Sequence, residues 1–232
     1  MRSLPLFLAL FLLLTGCATA PAADKAAAEA FQRIEQELLS AKVLRVEYEI
    51  EATGVVEAKL SGDLLMQQPA LAAIRASGDF NGAATAVRLV ADGERMKGGS
   101  EQRSFDEKMP VDLRNGLLLG LTRMGMLHNL AMLVSGAAPQ GTDGSVQDWA
   151  QAKALNWQKR NNEKNTQSIA FLLDVGGEPA GEVVLTYDNE SGLPVGRRQT
   201  VHFATGDMQV TERYRITTGG IIGPCRFSLQ TK

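Results

Sequence analysis

The chain has 232 residues, of which 24 are Lys or Arg, 26 are Asp or Glu and 44% are apolar. This balance is ordinary for one soluble globular domain. The formal net charge of −2 creates no long-range field that would attract nucleic acid or an anionic membrane surface, so net charge gives no reason to expect either as a partner. The apolar fraction also excludes a disordered chain.

The first 16 residues have the layout of a secretory signal peptide. Arg2 supplies a short positive region, and residues 4–14 form an almost unbroken apolar run. This run is well short of the roughly 20 residues that a helix needs to cross a bilayer, and Pro21 and Asp24 follow soon after it. We therefore interpret residues 1–16 as a cleaved signal rather than as a transmembrane anchor.

A four-residue motif closes this leader, since Leu14-Thr15-Gly16-Cys17 resembles the lipobox of bacterial lipoproteins. The resemblance implies cleavage before Cys17, lipid attachment to its thiol and a short linker over residues 17–23. Several acyl chains, at about 0.8 kcal/mol for each buried methylene, make an anchor that rarely dissociates. In bacterial lipoproteins an Asp after the lipidated Cys favours the inner membrane, and an alanine follows it here. The resemblance thus implies a cell-envelope protein anchored in the outer membrane and facing the periplasm.

The two cysteines of the chain are Cys17 and Cys225. With Cys17 lipidated, Cys225 has no partner in its own chain, and no internal disulfide can stabilise the fold. Cys225 follows Gly223-Pro224 in a short apolar segment, which predicts a small, buried core residue, with a reactive thiol as the alternative. Residues 24–232 are enough to form one core without a disulfide.

Hydrophobic periodicity divides the domain into one helix and many strands. Asp24 is a suitable N-cap for an Ala-rich helix in which Phe31, Ile34 and Leu38 recur at helical spacing. From residue 44 the period changes to two, as in a strand with one face in water. Strands are predicted at residues 44–52, 56–66, 71–80, 84–91, 95–98, 155–161, 168–175, 182–187, 195–203, 208–216 and 221–229.

About eleven antiparallel strands are too many for one flat sheet. The sequence therefore predicts an α+β fold, in which a strongly curved antiparallel sheet forms an open or half barrel and the N-terminal helix packs on it. The turn dipeptides Asn81-Gly82 and Asp92-Gly93 support a meander of consecutive hairpins.

Residues 112–134 are the most unusual part of the sequence. Leucine and methionine lie on nearly every side of a helix drawn through them, and Thr122, Arg123, His128 and Asn129 are the polar interruptions. Such a helix cannot lie on a surface with one side in water. It is either a central core helix or a helix in or over the concave sheet face that shares its apolar surface with a bound ligand. Arg123 and His128 disfavour a transmembrane span.

Motifs for catalysis or cofactor binding are missing from the sequence. There is no G-x-S-x-G elbow, Walker loop, dinucleotide fingerprint, C-x-x-C or H-E-x-x-H. His128 and His202 are predicted to be structural rather than catalytic or metal-binding. We therefore expect a protein that is not an enzyme, without catalytic residues, metal or cofactor, and keep an envelope hydrolase built from scattered residues as an alternative.

Three stretches resemble the LolA/LolB superfamily of lipoprotein carriers and receptors. Residues 62–69, Gly-Asp-Leu-Leu-Met-Gln-Gln-Pro, with Arg75 after them, are similar to the family's strand of the form G-x-L-x-x-x-x-P followed by an Arg. Residues 90–94 resemble its D-G hairpin, and residues 187–194 resemble the hairpin before a long later strand. The resemblance implies a LolA/LolB-like domain over residues 24–232, with Arg75 at the mouth of a ligand cavity.

An apolar cavity between the curved sheet and the helix of residues 112–134 is the predicted site. Its lining comes from the first two strands and from that helix, and consists of Val46, Tyr48, Ile50, Leu60, Leu64, Leu117, Leu121, Met124, Leu127 and Leu130. The leading hypothesis is a lipid-anchored periplasmic protein that binds an acyl chain, a lipid or a lipoprotein there, in lipid or lipoprotein trafficking. Its partners are then the membrane, through acylated Cys17, and that ligand. The alternative is an interaction or sensor lipoprotein that binds another envelope protein and whose helix fills its own core.

Overall fold

The computed structural model describes residues 24–137, 146–158 and 165–229. The predicted signal peptide, Cys17 and its linker lie outside these residues. The strands are β1 (Val43–Gly54), β2 (Ala58–Gln67), β3 (Leu71–Phe80), β4 (Ala83–Asp92), β5 (Arg95–Ser100), β6 (Ser104–Lys108), β7 (Ala150–Trp157), β8 (Thr166–Val175), β9 (Glu178–Asp188), β10 (Pro194–Phe203) and β11 (Gly206–Thr218). The helices are α1 (Lys25–Ser40), α2 (Leu113–Leu119), a π-helix (Gly120–Met124), α3 (Met126–Ser135), α4 (Val146–Trp149) and a 3₁₀ helix (Pro224–Phe227).

All eleven of these strands form one antiparallel sheet in the order β6-β5-β4-β3-β2-β1-β11-β10-β9-β8-β7. Two meanders, β1–β6 and β7–β11, join through the long pair of β1 and β11, which runs from Leu44 opposite Thr218 to Gly54 opposite Met208. The sheet is curved and does not close, so β6 and β7 are its edges. The predicted α+β class, the open curved sheet and the apolar helices over its concave face are confirmed.

Helix α1 begins where the sequence predicts. The Asp24 Oδ1 accepts hydrogen bonds from the backbone N–H groups of Ala26 (2.8 Å) and Ala27 (3.3 Å), which satisfies two amides of the first turn. The face that carries Phe31, Ile34 and Leu38 is buried. The Phe31 ring meets the Phe171 ring of β8 edge to face, with 5.1 Å between centroids, and this contact fixes α1 over the β7–β8 side of the sheet.

Eleven strands were predicted and the described residues form eleven, because one missed strand offsets one wrongly predicted strand. Residues 104–108 form the edge strand β6, which the sequence hides because its side chains do not alternate between buried and exposed. Residues 221–229 are not a strand. Gly219 and Gly220, with φ of 83° and 79°, turn the chain away from the sheet, and Pro224 cannot donate to a strand ladder.

The C-terminal segment, residues 219–229, crosses the outer face of the sheet instead. Its Ile222 and Phe227 pack in a small apolar cluster with Val43, Leu65 and Ala73. Cys225 is exposed, so the prediction of a buried core thiol is wrong. In a single turn of 3₁₀ helix Phe227 is the residue that reaches the sheet, and the side chain two positions earlier points away from it.

Across the described ranges, no helix combines the length and apolarity that crossing a bilayer demands. The segment of residues 112–134 that the sequence treats as one apolar helix is divided into shorter pieces, and these lie against the sheet.

Candidate functional site

The ten residues predicted to line a cavity come together on the concave side of the sheet. Nine of them are at most 5% exposed, and the tenth, Met124, is partly buried against them. Those on β1 and β2 form the apolar sheet face, and the others belong to the helical insert, residues 113–135, which covers it. The insert packs directly on this lining, so an apolar ligand would have to displace part of it.

The helical insert is not the single helix that the sequence predicts. It runs as α2, one π-helical segment and α3, with Gly125 between the last two at φ 90° and ψ 160°. A Cβ at residue 125 would lie 2.8 Å from Glu212 Oε1 and 2.9 Å from Arg197 Nη1. Glycine is required there for both the backbone conformation and the space, and this requirement explains the break.

A buried ion pair holds the π-helix to α1. The Arg123 Nε donates to Glu35 Oε1 at 2.7 Å and its Nη2 donates to Glu35 Oε2 at 2.8 Å, while Thr122 Oγ1 donates to the same carboxylate at 2.9 Å. The Arg123 and Glu35 side chains are 12% and 6% exposed. The third guanidinium nitrogen donates to the Ala150 carbonyl at 2.8 Å. This two-point geometry is the strong form of an arginine–carboxylate contact.

A second buried carboxylate, Glu212 on β11, holds the start of α3. Its oxygens accept hydrogen bonds from the backbone N–H groups of Met126 (3.0 Å) and Leu127 (2.8 Å). The Tyr214 hydroxyl also donates to it. The carboxylate thus satisfies amides at a helix N-terminus, where the helix dipole favours negative charge. We call the Glu35–Arg123 contact and the Glu212–α3 contact the two clamps of the insert.

Arg197 lies beside the second clamp with part of its donor capacity unused. It is directly opposite Glu212 in the β10–β11 register and is 2% exposed. Its Nη2 donates to the Arg123 carbonyl (2.8 Å) and to Gln199 Oε1 (2.7 Å). Its Nε and Nη1 are buried and have no hydrogen-bond partner among the described residues. Burial, followed by the negative charge of Glu212, raises the pKa of Tyr214, which keeps that hydroxyl protonated as a donor.

Two open clefts lie on the other, outward face of the sheet. One, of about 730 Å³, lies over β11, β1 and β2, and the other, of about 1210 Å³, lies over β2 to β5 beside the C-terminal segment. Arg75, predicted at the mouth of the apolar cavity, is exposed and lines the second cleft. The odd-numbered residues of β3 around it point outward, because side chains alternate along a strand.

The two histidines lie apart on different elements. His128 on α3 packs against Trp149, with 5.7 Å between ring centroids, and burial lowers its pKa. His202 Nδ1 is 2.9 Å from Asp207 Oδ1 across the exposed β10–β11 turn, and this hydrogen bond raises the pKa of His202. In the described part of the chain, no group of three His, Cys, Asp or Glu side chains is arranged to hold a metal ion.

The partly buried histidine, His128, gives a pH prediction. His128 has a lower pKa in the folded protein than the ordinary 6.5 of an unfolded chain, so the unfolded state takes up its proton first as the pH falls. Its contribution to stability is therefore complete above that value and is lost as the pH falls below it. The free energy of unfolding of wild type minus that of His128→Gln should decrease between about pH 7.5 and about pH 5.5 in urea titrations. A difference that stays constant, or grows, contradicts the assignment.

Neither clamp was predicted from the sequence, although the sequence carries a signal for each. Glu212 shares the alternating, inward-facing positions of Val210 and Tyr214 on β11, which puts a charged residue on the core side of the strand. Such a residue requires a buried partner. Glu35 gave a weaker signal, since it follows Ile34 on α1 and falls near the edge of the apolar face.

No family model matches the chain, and no curated protein matches it in sequence. Among solved structures it is similar to the Mycobacterium tuberculosis lipoprotein LppX, with 12% identity and a TM-score of 0.43 over 82% of this chain and 94% of that one. It is also similar to LprF from Mycobacterium bovis, with 12% identity and a TM-score of 0.44 over 82% and 93% of the two chains. A LolA superfamily protein from Nitrosomonas europaea matches with 8% identity and a TM-score of 0.38 over 87% and 97%. At these identities and TM-scores the matches identify neither the family nor the function of the chain, and LolA/LolB membership stays a prediction from the sequence motifs.

Proposed function

We propose that this protein is a lipid-anchored envelope protein that binds an acyl chain or a similar apolar ligand between the concave sheet face and the helical insert. We further propose that it acts in lipid or lipoprotein trafficking at the outer membrane, held there by acylated Cys17. One observation carries the proposal. The apolar concave face is covered by a segment of short helices interrupted at Gly125, rather than by a second sheet or one continuous helix.

The break at Gly125 divides the insert into two parts, α2 with the π-helix and α3, which can move independently. A π-helix is rare and is often found at functional sites, and here it stands immediately before a glycine that ends it. Met124 and Met126 flank this glycine, and thioether side chains adapt to variable shapes. We infer that α3 moves away from the sheet about the Gly125 hinge while α2 and the π-helix stay with α1.

The buried charges support such a movement. When α3 leaves, Glu212 loses the amides of Met126 and Leu127, and a buried carboxylate without partners is costly. Arg197, opposite Glu212 on the neighbouring strand, has two unused donors that can take the place of those amides. The clamp can therefore open without leaving the Glu212 charge unpaired, and Tyr214 remains as a donor in both states.

Acyl-chain burial can supply the free energy for this opening. At about 0.8 kcal/mol per methylene, a 16-carbon chain gains roughly 12 kcal/mol before ordering costs are subtracted. Releasing the α3 contact costs part of that gain, so the insert can be displaced by a long chain and not by a short one.

Met124→Glu tests the proposed site. Met124 is the predicted lining residue that is partly exposed, so a carboxylate there can reach water and leave the fold intact, while it places a charge beside the ligand. In titrations with 11-(dansylamino)undecanoic acid, followed by energy transfer from tryptophan, wild type should bind saturably. We expect the variant to bind about tenfold more weakly or worse, a loss of at least about 1.4 kcal/mol.

Leu172→Glu is the matched control, because Leu172 is a large apolar residue on the outward face of β8, 43% exposed. It should bind the dansyl probe as wild type does. Equal binding by wild type and Met124→Glu, with both proteins folded by circular dichroism, would place the ligand elsewhere.

The second candidate function is an envelope interaction or sensor protein. The close packing of the insert on the predicted lining, with nine residues at most 5% exposed, favours it. An absence of saturable binding of the dansyl probe by wild type selects this function over the carrier function.

A further inference from the structure

The outward face of the sheet carries one row of charged residues across five neighbouring strands. The register places Arg215, Glu47, Asp63, Arg75 and Arg88 side by side on β11, β1, β2, β3 and β4. The next position, on β5, is Gly99, which has no side chain. Arg88 is therefore the last charged side chain of the row, and Arg88 and Gly99 both line the larger outward cleft.

The two carboxylates in this row, Glu47 and Asp63, are paired with arginines other than Arg75 and Arg88. Arg215 Nη1 is 2.8 Å from Glu47 Oε2. Arg226, on the C-terminal segment, places its Nη2 2.9 Å from Asp63 Oδ2. Asp63 is opposite Arg75 in the register, yet Arg226 holds it. Among the described residues, Arg75 and Arg88 have no ion pair and no side-chain hydrogen bond.

Two arginines directly opposite each other on adjacent strands repel each other, and such a pair destabilises a sheet. A bound anion between the guanidinium groups removes this cost and gains the two-point hydrogen bonds that arginine makes with phosphate. The cleft around them is also lined by Ser77 and Glu101. Three arginines (Arg75, Arg88 and Arg226) and two carboxylates (Asp63 and Glu101) therefore line this cleft. Because Arg226 is paired with Asp63, the excess positive charge lies at Arg75 and Arg88.

The backbone beneath the pair is held in place. The Tyr48 hydroxyl passes over Gly62 and donates to the Arg75 carbonyl at 3.0 Å. On the opposite side of the cleft, the Nε of Arg226 is buried without a hydrogen-bond partner among the described residues, so this arginine has a donor to spare. The C-terminal segment and the β3–β4 pair thus form the two sides of the cleft, and each side carries arginine N–H donors without a partner among the described residues.

We propose that Arg75, Arg88 and Arg226 form a binding site for a phosphate group on the outward face of the sheet, separate from the apolar concave face. The ligand class is a phosphate monoester or inorganic phosphate. The group can come from free phosphate in solution or from the headgroup of a phospholipid such as phosphatidic acid. This site does not depend on the proposed acyl-chain function, since it lies on the opposite face.

Thermal unfolding of the purified protein tests the site. Inorganic phosphate should raise the Tm of wild type relative to chloride at the same ionic strength, and Arg75→Gln and Arg88→Gln should each abolish most of that rise. Without phosphate these two variants should melt at the wild-type temperature or above it, because each removes one of two like charges. Arg198→Gln is the control, since Arg198 is an exposed, outward-facing arginine of β10 opposite Thr211, and it should respond to phosphate as wild type does.

A second titration identifies the source of the phosphate. Dihexanoyl phosphatidic acid and dihexanoyl phosphatidylcholine are compared on wild type and on Arg88→Gln. Arg88-dependent stabilisation by inorganic phosphate assigns the site to a free phosphate, and Arg88-dependent stabilisation by phosphatidic acid alone assigns it to a lipid headgroup. If neither probe stabilises wild type more than Arg75→Gln and Arg88→Gln, the proposal is wrong.

Discussion

Glu212→Ala should lower the free energy of unfolding by about 3–5 kcal/mol, because a buried charged group with several partners is removed. The substitution leaves the amides of Met126 and Leu127 and the Tyr214 hydroxyl without their acceptor. It also leaves Arg197, 2% exposed, without the carboxylate opposite it in the β10–β11 register. Urea titration followed by circular dichroism measures this loss, and the start of α3 should lose order first.

Glu51→Ala is the matched control for this experiment. Glu51 lies on the neighbouring strand β1, opposite Thr211, the residue before Glu212. Unlike Glu212, it is exposed on the outward face of the sheet. Its removal should change stability by less than about 0.5 kcal/mol. Similar losses from the two substitutions would mean that Glu212 contributes no more than a surface residue and that the second clamp is not formed.

Arg123→Met should also cost about 3–5 kcal/mol, since it leaves the Glu35 carboxylate buried without its cation. Among the described residues, Glu35 then keeps the 2.9 Å hydrogen bond from Thr122. The double substitution Glu35→Leu with Arg123→Met removes both charges together, and replacing a buried pair by apolar residues is often nearly neutral. The double variant should therefore be more stable than Arg123→Met alone. A double-mutant cycle should give an interaction energy between the two side chains of about 2 kcal/mol or more.

Arg33→Met is the control for this cycle, because Arg33 is an exposed residue of α1 two positions before Glu35. It should leave stability within about 0.5 kcal/mol of wild type, alone or combined with Glu35→Leu. Strictly additive effects of Glu35→Leu and Arg123→Met would show that the two side chains do not interact in solution.

The strands were predictable from the sequence because alternation of apolar and polar residues reports directly which face of a strand is buried. β3 was predicted with both of its ends, at residues 71 and 80, where Asn81-Gly82 supplies a tight turn. β6 was missed because an edge strand with little burial has no such alternation. The C-terminal segment was predicted as a strand because Ile221, Ile222 and Phe227 are apolar. In the structure Ile222 and Phe227 pack on the outer face of the sheet, and Ile221 is exposed.

The candidate site was predictable only in part, for a physical reason. Which residues are apolar and inward follows from local periodicity, and those residues do meet on one side of the sheet. Which polar groups hold the insert in place depends on contacts between residues far apart in sequence, such as Glu212 with Leu127 and Glu35 with Arg123. No local pattern carries that information. The break at Gly125 likewise depends on the Glu212 and Arg197 side chains that approach it.

Hydrogen–deuterium exchange with and without a long-chain fatty acid tests the central proposal, that an apolar ligand displaces α3 from the concave face. With saturating palmitate, amides of residues 126–135 should exchange faster, because α3 loses its contacts with β4, β5 and Glu212. Amides of residues 43–54 and 58–67, in the centre of the sheet, should stay protected, and those of residues 219–229 on the outer face should not change. Exchange in residues 126–135 that is unchanged or slower in the presence of palmitate would contradict the proposal.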